Sequence, residues 1–163
     1  MTWDPGVSAT LGLLVYIGTT ATDGTADTYT EIKHVQNITV FGRVYQIVKF
    51  VPIATGFTEK FKGEVDDGDI KLSVGYDLGD AGQSAVNTAV DDTTVNYYNM
   101  KFVLNDASAG TPASPTSGSA GTTFYFKVKF TSFTVTPGTV ASVVMGEITA
   151  AVKTGGTTRV AAT

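Results

Sequence analysis

A chain of 163 residues is long enough to bury one sizeable core, but with no cysteine it can use neither a disulfide nor a thiolate metal centre for stability. Thr and Val are abundant, 16 residues are Phe or Tyr, and 18 glycines supply turns, so the composition is that of a β-dominated single domain spanning residues 1–163. The net charge of −4 is unevenly placed: residues 62–92 hold eight acids against two lysines and carry −6, and no lysine and arginine stripe exists to grip nucleic acid tightly.

Alternation of apolar and polar residues is the main guide along the chain. Residues 1–10 read as an N-terminal arm, and no basic region followed by an apolar core marks them as a signal peptide. The apolar run at residues 11–17 predicts an early buried strand and is too short to span a bilayer. In "DTYTEIKHVQNITV", residues 27–40, Tyr29, Ile32, Val35, Ile38 and Val40 follow an imperfect period of two, which predicts two short strands or one bulged strand. "RVYQIVKFVPI", residues 43–53, predicts a strand ending at Pro52, which has no N–H for a ladder. Residues 54–68, "ATGFTEKFKGEVDDG", fit neither period and are predicted as one long loop closed by the turn pair Asp67-Gly68.

"DIKLSVGYD" is the cleanest strand, with Ile70, Leu72, Val74 and Tyr76 on one face and Lys71, Ser73, Gly75 and Asp77 on the other. "DAGQSAVNTAVDD" predicts the single helix. Asp80 caps it, Gln83 is placed as the reciprocal partner of a capping box, and Ala85, Val86, Ala89 and Val90 form a narrow apolar stripe. Asp91 and Asp92 oppose the helix dipole and end it. "YYNMKFVLN", residues 97–105, is a further strand, and residues 106–121 read as a flexible exposed loop. "TTFYFKVKFTSFTV" places Phe124, Phe126, Val128 and Phe130 inward, with a bulge or bend at Ser132-Phe133. A last long strand follows Pro137-Gly138, and residues 154–163 read as a mobile tail.

Few residues invite chemistry. His34 is the only histidine, no GxSxG elbow accompanies it, and it reads as a polar strand residue. Asp66, Asp67 and Asp69 offer clustered oxygens, but they lack EF-hand spacing and read as a solvated acidic loop. Neither a GxGxxG nor a Walker pattern occurs, so no cofactor is expected. Asn37-Ile38-Thr39 matches a glycosylation sequon, a pattern common by chance. Phe57 and Phe61, set among Glu59, Lys60 and Lys62, either fold back on the core or act as interface anchors.

The order of three segments, "GFTEKFKGEVDDGDIKLSVGYDLGDAGQSAV", "YYNMKFVLND" and "TTFYFKVKFTSFTVTPGTVASVVMGEITAAVK", resembles the tail tube (major tail) proteins of long-tailed, non-contractile bacteriophages over roughly residues 12–153. The "GTPASPTSGSAG" loop departs from that pattern. The resemblance implies a β-sandwich or small barrel with one flanking helix, and a structural, non-enzymatic role. It also implies hexameric rings stacked into a tube, with other tail proteins such as tape measure, tail tip and tail terminator as partners. Double-stranded DNA would pass through without tight binding, and the site would be the tail of a virion assembled in the host cytoplasm, with no membrane involved. The family's ring-binding loop maps onto Phe57, Glu59, Lys60, Phe61 and Lys62, while Glu64, Asp66, Asp67 and Asp69 become candidates for a lumen wall or a ring contact. An acid-rich wall repels phosphate and suits a conduit. The competing expectation is a secreted or surface β-sandwich for adhesion or ligand binding.

Overall fold

The structure, a computed structural model, describes residues 12–39, 41–94, 96–105 and 121–161. The predicted arm at 1–10, and all but Gly121 of the predicted loop at 106–121, lie outside the described residues. Among these described residues, ten strands and one helix follow in the order β1 (Leu14–Ile17), β2 (Thr30–Glu31), β3 (Val35–Ile38), β4 (Val44–Phe50), β5 (Glu59–Asp66), β6 (Asp69–Gly75), α1 (Ala81–Asp91), β7 (Tyr98–Val103), β8 (Thr123–Thr136), β9 (Met145–Val152) and β10 (Thr158–Val160). Eight strands form one antiparallel sheet in the order β2-β1-β7-β8-β9-β6-β3, with β10 also on β8, while β4 and β5 pair only with each other. Among the described residues no helix is long and apolar enough to cross a membrane.

Period-two patterning places the core. Val15 and Ile17, Met100 and Phe102, Phe126, Val128 and Phe130, Ile148, Ala150 and Val152, and Ile70, Leu72 and Val74 all converge in one cluster, joined by Val86 and Ala89 of α1. Strands from both ends of the sheet order share this interior, so the sheet curves around it and α1 covers it. Phe41 sits edge-on to Phe124 and Phe126, the arrangement that aromatic quadrupoles favour. The predicted bulge in the long strand is real: the β8–β9 register shifts between Phe130 and Ser132. The shift lets Phe133 join the core from the other side of the break.

Three expectations change. Glu59–Asp66 of the predicted loop is a strand, because β4 supplies the hydrogen-bond partners that its own irregular period conceals. The tail is paired through Val160: β9 ends opposite Val128, and β10 occupies the same edge of β8 at Thr123–Tyr125. His34 is not a strand residue. It stands between β2 and β3 at φ +60, its carbonyl accepting from Gly75 N, with its ring 3.5 Å from Asp77.

Candidate assembly hairpin

The β4–β5 hairpin is built from residues that would ordinarily be a core. Val44, Val48 and Phe50 lie on one face and Tyr45 and Ile47 on the other, so apolar residues occupy both parities of the strand. Every residue of β4 is exposed. Opposite them, Phe61 pairs with Val48 and Lys62 with Ile47, and the Lys62 ammonium lies 4.9 Å from the Tyr45 ring centroid. Lys49 faces Lys60 directly, a like-charge pair that weakens the isolated hairpin. The register shifts between Tyr45 and Ile47, opposite Gly63. A Cβ on Gly63 would meet Val48 Cγ2 at 2.8 Å, so a larger residue at the bulge would have to push the exposed Val48 side chain aside. At the tip, Gly56 N donates to Pro52 O at 2.9 Å with Gly56 at φ +66, leaving Ile53 fully exposed and Phe57 79% exposed.

The root is clamped. Arg43 Nε donates to Asp67 Oδ1 at 2.8 Å, and Nη2 approaches Oδ2 at 3.4 Å. The Gly155 amide also donates to Asp67 Oδ2, at 2.7 Å, tying the hairpin to the β9–β10 connection. The Arg43 hydrogen bond, assisted by Gly155, holds the Asp67 carboxyl below the usual carboxylate range against the opposing effect of burial. Asp67 is only 3% exposed, so this acid cannot face a lumen or a neighbouring ring, and its place among the wall candidates is corrected. Glu64, Asp66 and Asp69 are exposed, and Asp66 Oδ1 accepts from Gly68 N to shape the turn into β6.

Phe57, Glu59, Lys60, Phe61 and Lys62 are therefore brought together on one projecting unit and do not fold back on the core. The sequence reading missed that β4 shares this unit. Its signal was present, since an apolar strand with both parities filled must be covered on both sides. The helix cap differs in one respect. Asp80 accepts from Gln83 N at 3.0 Å as predicted, but the Gln83 side chain does not return to Asp80. It accepts from Asp77 N and donates to Gly75 O and Lys33 O, because the end of β6 offers closer partners. Among the described residues no three His, Asp or Glu side chains converge as a metal site.

No protein-family model matches the chain, and no curated protein sequence matches it. Solved structures do. A chain of the sheath–tube complex of an extracellular contractile injection system (PVC) aligns over 95% of this chain and 92% of its own, with TM-score 0.66 and 14% identity. The SPP1 tail tube aligns over 94% of this chain and 78% of its own, with TM-score 0.64 and 15% identity. The tail of an empty GTA particle, of C6 symmetry, aligns over 95% of this chain and 100% of its own, with TM-score 0.61 and 15% identity.

The fold is that of tail tube proteins. Since one of these structures is a contractile injection system, the fold is not specific to non-contractile tails.

Proposed function

We propose that this chain is the repeating subunit of a tail tube in a virion or phage-like particle. Copies associate into rings, six to a ring as in the C6-symmetric GTA tail, and the rings stack into a hollow tube that conducts DNA. The observation that carries this reading is the free-standing hairpin, whose two apolar faces are exposed in the single chain and need covering by other copies. A domain of this size has a radius of gyration of about 15 Å and cannot surround a duplex alone, whereas head-to-tail contacts between copies close rings and build stacks. Phe57, Glu59, Lys60, Phe61 and Lys62 make the contacts between subunits, and the exposed Glu64, Asp66 and Asp69 line the lumen or a ring contact. The other tail proteins, tape measure, tip and terminator, join the tube at its bore and ends, with assembly in the host cytoplasm.

Negative-stain microscopy of concentrated protein tests the reading, with rings or hollow tubes expected. Phe57→Ala with Phe61→Ala is expected to keep the wild-type circular dichroism and lose polymerisation by light scattering. Normal tubes from that double variant would remove the hairpin from the assembly contact.

A further inference from the structure

The hairpin root and a second apolar surface lie at opposite ends of the same strand. Asp67, in the root, precedes β6, and Tyr76–Leu78 follow its last residue; β6 is seven residues long, so the two ends are about 20 Å apart. At the far end, Tyr76 N donates to Val144 O, which gathers the segment before β9 against the segment after β6. Leu78 is 84% exposed there, and Val140 and Val143 are also exposed. Between this end and the first turns of α1 lies a cleft of about 130 Å³, walled by Tyr76, Leu78, Phe133 and Val135, with Ser84 and Asn87 of α1 on the other side. Tyr76 and Phe133 meet at 6.0 Å between ring centroids, leaving a tilted aromatic wall. An enclosed dry cavity of about 150 Å³ is known to accept benzene; this cleft is slightly smaller and open to solvent, so an aromatic ring enters it with part of its edge left outside.

We infer that the cleft between β8 and the start of α1 is the acceptor for the hairpin tip of another copy of this chain, with Phe57 as the inserted ring. The inference rests on the tube-assembly reading and adds the acceptor that it lacks. Phe57 suits the role because it stands on the tip, outside the paired strand residues, whereas Phe61 is held within the ladder opposite Val48. Asp77 at the cleft rim already accepts from Gly79 N and lies 3.5 Å from the His34 ring, so Lys60 or Lys49, which repel each other in the unpartnered hairpin, would share that carboxylate on docking. With donor and acceptor surfaces at opposite ends, the contact is heterologous, so each copy gives one hairpin and receives one, and the series propagates.

The chain has no cysteine, so engineered disulfides read the contact without background. Thr58→Cys, beside Phe57 on the tip and exposed, combined in turn with Leu78→Cys and with Val135→Cys under mild oxidation, is expected to give a ladder of covalent oligomers, while each single-cysteine chain stays monomeric on a denaturing gel. A strong dimer from Thr58→Cys alone would mean tip-to-tip contact and would overturn the acceptor. Leu78→Asp with Val135→Asp alters exposed positions and is expected to preserve the circular dichroism and abolish polymerisation. Tubes from the unsubstituted chain, together with no ladder from either pair and normal tubes from the aspartate variant, would discard the cleft and leave the tube reading standing. A parent chain that never forms rings or tubes would discard both.

Discussion

Buried charge shows how single residues are stabilised in this fold. Lys101 is almost fully buried with no carboxylate partner among the described residues; its ammonium lies 4.8 Å and 4.3 Å from the ring centroids of Tyr16 and Tyr29. Burial pushes its pKa down, and the two ring faces offset part of that desolvation. Asp67 is the opposite case, a buried acid with a bidentate partner. Its folded pKa lies below the ordinary carboxylate value near 3.9, so the clamp contributes fully above that value and is lost as pH falls through the lower folded pKa. Thermal melts from pH 6 to pH 3 are therefore expected to fall more steeply for the wild type than for Asp67→Asn. Parallel slopes would mean that the clamp adds nothing to acid sensitivity.

At the scale of elements, close backbone approach decides more than propensity does. Gly82 sits in the first turn of α1, where alanine would ordinarily be the better helix former by about 1 kcal/mol. A Cβ there would collide with the Glu31 carbonyl oxygen and come within 2.7 Å of Ile32 Cα, both backbone atoms that cannot swing aside. Overpacking of this kind costs about 3 kcal/mol at the upper end, which outweighs the propensity gain. Gly82→Ala is thus expected to lower Tm by about 5 °C or more in a domain of this size. An unchanged or higher Tm would show that α1 shifts freely against the segment after β2. Strands β6, β7 and β8 were legible in the sequence because Ile70, Leu72, Val74 and their equivalents alternate cleanly against one core. β5 and β10 were not, since Gly63 interrupts the period of one and the other is a three-residue strand defined wholly by its neighbour β8.

For the whole molecule, the body and the hairpin differ in how they are held. The body has a continuous core, whereas a two-stranded sheet with both faces exposed is marginal in water even with its ladder formed. Hydrogen exchange of the isolated chain is expected to show strong protection in β6, β8 and β9 and weak protection in β4 and β5. Assembly should then raise protection of the hairpin far more than that of the body. Strong protection of Val44–Phe50 in the monomer would mean that the hairpin is self-sufficient and does not need partners. Thus the same projecting unit accounts for the expected local instability and for the proposed association.

Local chemistry was enough to determine the β-dominated class, the single helix with its Asp80 cap, the bulge in β8 and the inward faces of the long strands. These depend on side-chain periodicity and on hydrogen bonds a few residues apart. Only tertiary structure decided that Asp67 is buried under Arg43, that Gln83 serves the end of β6, and that β4 stands away from the core. Each of those outcomes depends on which distant backbone or side chain arrives at the residue. An apolar strand read alone looks the same whether its covering comes from its own chain or from another copy.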